Sequence, residues 1–200
     1  MSRQHRLLLA GGLLPLPWFL LWTTIGALFS ADYSPLSQHA SELLQAPGFA
    51  SLCIRIAAIG SGLGFVAFSV AVWRVSGRRI AVGAACWMVF GVSMLTNGLW
   101  PLGHPMHGFY AIGIANLIAP ALAHIELGAW SRNPKAYAIT AFVSVAGIVY
   151  LWLNLVGVDP QGFRGLTQRV FSSINALWPF LVALYFLRNG SGLLRAQPAT

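Results

Sequence analysis

A chain of 200 residues that is 57% hydrophobic and only 8% charged, with a mean hydropathy of +0.70, is too poor in charge for a water-soluble domain, where about a quarter of residues are charged. Its net charge of +8 does not point to nucleic acid, because the basic residues stand in short clusters between apolar runs and not along a stripe. Lipid headgroups and the charge rules of membrane insertion account for them instead. The composition therefore predicts a single all-α domain, a polytopic bundle of six transmembrane helices.

The first apolar segment covers residues 7–29, long enough at ~1.5 Å per residue to cross a ~30 Å hydrocarbon core. Its apolar run exceeds the roughly 7–15 residues of a signal peptide, and Phe29 fills the −3 position before Ala31, so an uncleaved helix is expected. Pro15 and Pro17 predict a bend, with the freed carbonyls sheltered by neighbouring helices.

A polar loop follows, with Asp32 and Glu42, two of only four acidic residues in the chain. Ser34-Pro35 reads as an N-cap followed by proline at the first helical position. Leu36, Ala40, Leu43 and Leu44 then fall on one face, with Ser37, Gln38, Ser41, Glu42 and Gln45 on the other. This predicts a short amphipathic helix, ended by Pro47-Gly48, in the first extracytoplasmic loop.

The second span, residues 51–73, carries Arg55 about one turn inside, and a Gly60/Gly64 pair that allows another backbone to come close. The third is 80–99, ending near Asn97. A loop with His104 and His107 leads to the fourth, 108–130, which holds Asn116, Pro120, His124 and Glu126. The fifth is 136–157, and the sixth, 168–187, has a polar stripe of Gln168, Arg169, Ser172, Ser173 and Asn175 at its start. Cys53 and Cys86 should lie at opposite depths, too far apart for the roughly 4.4–6.8 Å between Cα atoms that a disulfide needs, so both thiols are expected free. Six tryptophans, Trp18, Trp22, Trp73, Trp100, Trp130 and Trp178, fall near expected helix ends, where interfacial belts form.

Orientation follows from the basic residues. With the N-terminus inside, Arg3, Arg6, Arg74, Arg78, Arg79, Arg132, Lys135, Arg188 and Arg195 are cytoplasmic, and Arg55, Arg164 and Arg169 are not; nine against three favours cytoplasmic N- and C-termini. Eleven of the twelve basic residues are Arg, as in GC-rich bacterial coding sequences, and the bacterial cytoplasmic membrane is the expected location. Glu126, alone among the acids, falls near the inner end, within reach of the interface or Arg132.

The remaining polar residues gather at the outer end. Arg55 and Arg169 are costly inside a membrane unless paired, and Glu42 is the expected partner of one of them, plugging the bundle mouth with the loop helix. Ser41, Glu42, Arg55, His107, Arg169, Ser172 and Asn175 are the candidate ligand-binding residues. His39, His104 and His107 have the chemistry of zinc ligands, but their spacing matches no metal motif, and no metal or cofactor is expected.

Three stretches carry a family likeness: Tyr33-Ser34-Pro35-Leu36-Ser37-Gln38 with Ser41-Glu42-Leu43, His107-Gly108, and Gly165-Leu166-Thr167-Gln168-Arg169-Val170. With six spans in about 200 residues, the chain resembles the bacterial and archaeal membrane family catalogued as domain of unknown function 998. The resemblance implies that Ser41, Glu42, His107 and Arg169 belong to the family's recurrent polar set; it implies no activity. The loop before His107-Gly108 here lacks the acidic or cysteine residue that the pattern often carries.

Three functions fit these residues. The favoured one is a non-enzymatic protein whose outward-facing polar pocket binds a lipid headgroup, a small anionic ligand or a partner, with the arginines suiting an anion. The alternatives are a metal-dependent intramembrane hydrolase using the histidines and Glu42, and a small-solute transporter, whose mark would be broken helices at Pro15, Pro17 or Pro120.

Overall fold

The computed structural model describes residues 2–107 and 115–193, apart from the side chains of residues 161 and 190–193. Among them every regular element is helical. Four helices are each long and apolar enough to cross a membrane: α3 (Phe49–Ser76), α4 (Val82–Leu99), α7 (Pro134–Val156) and the Arg164–Asn189 part of α8 (Arg164–Leu193). The pair α1 (Arg3–Ala10) and α2 (Pro15–Leu28), bent by 46°, makes a fifth if taken as one span. The expected fourth span appears as α5 (Ala115–Glu126) and the short α6 (Gly128–Ser131); its residues 108–114 lie outside the described part.

The bend has the expected cause. Pro15 has no N–H to continue the helix, and its ring crowds the carbonyl four residues back, that of Gly11. The chain passes through a 3-10 turn, Gly11–Leu13, and restarts with Pro15 in the first turn of α2. Beyond the bend, Trp18 packs on α3: its indole N–H donates to the Ile56 carbonyl at 2.9 Å, beside Gly60, where any Cβ would collide with the ring.

Both ends of α4 are closed by side chains from its neighbours. At its start, Glu126 accepts the Gly83 N–H at 2.8 Å through Oε1 and the Ala84 N–H at 3.2 Å through Oε2. At its end, Arg55 donates to the carbonyls of Gly98 and Leu99, at 2.9 and 3.2 Å. An anion at the N-terminus and a cation at the C-terminus both oppose the helix dipole. Glu126 therefore does not reach for Arg132 or the interface: it is buried, and the unpaired N–H groups of α4 are the nearer donors.

The core centres on stacked rings. Trp87 lies between Phe65, 5.5 Å away at an interplanar angle of 5°, and Trp178, 5.6 Å away at 16°. Trp178 is fully buried and Trp130 nearly so, which corrects their assignment to an interfacial belt. The Trp178 N–H donates to Thr140 Oγ1 at 2.9 Å, and that hydroxyl lies 3.1 Å from His124 Nδ1. Buried indoles usually find such a partner, but the Trp87 and Trp130 N–H groups have none among the described residues. Cys53 and Cys86 are both free.

A latched lid over an uncharged cavity

The segment between α2 and α3 is not the α-helix its pattern suggests. A turn at residues 35–37 is followed by a 3-10 helix, Ala40–Gln45. Leu43 and Ala40 are buried beneath it, but Leu36, assigned to the same apolar face, is 52% exposed. The physical reason is the neighbour. The start of α8 needs the carbonyls of residues 35–38 as acceptors, and a continuous helix would have consumed them internally.

Arg169 makes most of this joint. Its Nη1 donates to the Pro35 carbonyl at 2.8 Å, the Gln38 carbonyl at 3.2 Å and the Gly165 carbonyl at 2.9 Å. Its Nη2 donates to Tyr33 Oη, and the guanidinium carbon lies 5.7 Å from the centre of the Tyr33 ring. The Tyr33 hydroxyl is 3.2 Å from both the Gln38 and His39 carbonyls, to which it donates. Burial pushes that hydroxyl above its usual titration range, against the opposing pull of Arg169. Leu166 N–H donates to the Leu36 carbonyl at 2.9 Å, and Gln168 Oε1 accepts the Ala40 N–H at 2.7 Å. Gly165 sits against this turn with no room for a side chain.

A second set of contacts lies beside the first. Glu42 Oε1 accepts the His39 N–H at 2.8 Å, closing the first turn of the 3-10 helix, and pairs with Arg164 Nη2 at 3.1 Å. The expected pairing of Glu42 with Arg169 or Arg55 is therefore corrected. Those two cations are taken up by backbone carbonyls, and Arg164 is the arginine whose position meets the carboxylate. His39 Nε2 lies 3.9 Å from Asp159 Oδ2. Burial, helped by the Arg164 cation, holds the imidazole below its ordinary 6.5, outweighing the two carboxylates.

Beneath this lid lies a cavity of about 560 Å³, within the size range of small-molecule sites. Ser41, His107, Ser172 and Asn175, four of the sequence candidates, line it; Glu42, Arg55 and Arg169 do not. Residues not proposed as ligands complete the polar wall, among them Ser61 on α3, Asn116 on α5 and Asn154 on α7. Their signal in the sequence was only that each is a lone polar residue in an apolar run. Phe19, Ile54, Phe65, Phe90 and Phe171 supply apolar wall. No Asp, Glu, Lys or Arg among the described residues lines the space.

The side chains of Ser41, Asn116, Ser172 and Asn175 have no hydrogen-bond partner among the described residues. His107 Nδ1 is 3.0 Å from the Trp100 carbonyl. A carbonyl can only accept, so Nδ1 carries a hydrogen. His104 is exposed, with Nδ1 accepting the Met106 N–H at 3.1 Å and its ring stacked on Trp100. Among the described residues no group of three His, Cys, Asp or Glu side chains is arranged to hold a metal.

The model of the family described as protein of unknown function (DUF998) matches residues 13–185. The chain belongs to the DUF998 family. Comparisons with curated proteins and with solved structures gave no match. In this DUF998 protein, two of the stretches that carried the resemblance meet in space. Tyr33-Ser34-Pro35-Leu36-Ser37-Gln38 is the lid turn, and Gly165-Leu166-Thr167-Gln168-Arg169 is the surface it latches to. The third, at His107, reaches the cavity below.

Proposed function

We propose that this DUF998 protein binds the uncharged polar portion of a lipid or similar amphiphile in the cavity beneath the lid. The reading takes the chain as six spans in a bacterial cytoplasmic membrane, with both termini cytoplasmic and the lid end facing outward. The sixth crossing rests on the apolar run of residues 108–130, and the orientation on the basic clusters at the other end.

One observation carries the reading. Hydroxyl and amide groups on Ser41, Asn116, Ser172 and Asn175 border an apolar-walled space without partners among the described residues. All four residues are partly accessible, so their polar atoms are open to an occupant that both donates and accepts hydrogen bonds. Each amide offers both functions and each hydroxyl likewise. The nearby arginines are engaged with carbonyls and Glu42, which favours an uncharged head over the anion that the sequence pattern suggests. The aromatic wall suits a hydrocarbon continuation of the same molecule.

Native mass spectrometry of the purified protein, supplied with a bacterial lipid extract, tests this. One lipid per chain should be retained, enriched over its share of the extract, and lost in the Asn116→Leu/Asn175→Leu double variant. Retention that mirrors the extract or survives the double substitution rejects the reading. The topology is tested separately by a reporter joined after Thr200, which should be active only in the cytoplasm; periplasmic activity would overturn it.

A further inference from the structure

At the opposite end of the molecule, α1 presents a second surface of different chemistry. Arg3, Arg6, Leu7 and Ala10 follow one another at i, i+3, i+4 and i+7, so they form one face of the helix. With Leu187 of α8 they line an open groove of about 540 Å³. The face is graded along its length. Two cations stand at the start of the helix and apolar side chains follow toward the interior, with Leu7 65% exposed.

Among the described residues the charges on this face are uncompensated. Arg3 and Arg6 are exposed and have no hydrogen-bond or ion-pair partner among the described residues. The four Asp and Glu side chains lie elsewhere. Glu42 and Asp159 belong to the lid joint, Asp32 is in the same loop, and Glu126, at this end, is occupied by the N–H groups of α4. Arg74 is near enough to His5 to act on it electrostatically, adding to the positive field. In the first turn of α1 the His5 and Arg6 N–H groups are already taken, by Ser2 Oγ at 3.2 Å and the Ser2 carbonyl at 3.1 Å. The N–H groups of Arg3 and Gln4 precede any partner within the helix, as at every helix start.

We infer that this groove is a binding site for an anionic phospholipid of the adjacent leaflet. The phosphodiester would sit between Arg3 and Arg6, and an acyl chain would lie along Leu7, Ala10 and Leu187. The charge on the arginines selects an anionic headgroup, and the exposed leucine beside them selects a molecule that continues as hydrocarbon. A free phosphate satisfies only the first of these.

The full-length chain in detergent, titrated with phosphatidylglycerol and followed by native mass spectrometry, tests the site. A site binding phosphatidylglycerol more tightly than phosphatidylcholine is expected. The Arg3→Gln/Arg6→Gln variant should weaken it by roughly tenfold to thirtyfold, since each arginine at a membrane surface contributes about 1 kcal/mol. Leu7→Asn should weaken it as well, and Arg132→Gln should leave it unchanged. Equal binding of the two lipids, or no effect of the double arginine variant, overturns the proposal. Displacement of the lipid by millimolar inorganic phosphate with no effect of Leu7→Asn overturns it too, since that would make the site one for phosphate alone. The Asn116→Leu/Asn175→Leu variant should bind phosphatidylglycerol normally, so this result stands or falls apart from the cavity's.

Discussion

Gly165 and Gln38 touch backbone to backbone: the first turn of α8 lies so close under the lid that a Cβ on Gly165 would collide with the Gln38 carbonyl. The Arg169 bonds to the Pro35 and Gln38 carbonyls depend on that approach. Replacing Gly165 by Ala should therefore act chiefly on the lid. Overpacking costs typically about 1–3 kcal/mol. Thermal unfolding in detergent should fall accordingly, and amide exchange in residues 33–45 should rise more than in α3 or α4. Uniform exchange changes would show that the contact is not local.

Arg169 should tolerate no substitute. Its planar fork reaches three carbonyls and the Tyr33 hydroxyl at once, whereas a lysine ammonium is a single compact charge. Arg169→Lys is expected to lose about 2 kcal/mol, the scale of one or two charge-assisted bonds, with Arg169→Ala worse. Limited proteolysis at the lid reads the difference. A lysine variant as protected as the parent would refute the multi-carbonyl role.

The lid should loosen in acid. His39 is held below its ordinary 6.5 by burial first and by Arg164 second, so the folded state favours the neutral ring. Stability from this group is complete above 6.5 and is lost as the pH falls through the lower folded value. Amide exchange within residues 33–45 should accelerate as the pH drops from 7 toward 5, and His39→Gln should flatten that dependence. An unchanged slope in the variant assigns the effect to another group.

Glu126 should behave as a cap, not as a surface charge. Glu126→Ala removes both acceptors of the Gly83 and Ala84 N–H groups, and loss of a cap costs about 0.5–2 kcal/mol. Glu126→Gln keeps one carbonyl oxygen and should cost less. Equal losses in the two variants would indicate charge, and no loss in either would dismiss the cap.

The sequence made some of this legible and concealed the rest for physical reasons. Apolar runs and basic clusters gave the helices, and the proline pair gave the bend, because length and lost N–H groups are local properties. The shape of the lid was not local. The Leu36, Ala40, Leu43 and Leu44 spacing suits an α-helix, but α8 competes for the same carbonyls and wins. The partner of Glu42 was mistaken because attraction between charges has no direction. Arg164, Arg169 and Arg55 were equivalent until the backbone acceptors near two of them were in place. Trp178 was misread because a span apolar on every side does not reveal which face turns inward. Four of the seven ligand candidates line the cavity, and for two of them, Ser172 and Asn175, the polar stripe on α8 is a rotational signal that survives in sequence, since Gln168, Ser172 and Asn175 share one side.

The lid joint also imposes an order on biosynthesis. Glu42 and Arg164 are separated by 122 positions in the chain, so the first loop leaves the ribosome long before its fastener exists. At roughly 5–20 residues per second, that interval lasts on the order of ten seconds. Throughout it the nascent protein has an open mouth, and only the arrival of the final helix shuts it. A chain truncated before α8 would be stranded at that stage, presenting unclasped loop carbonyls as a mark of incomplete assembly.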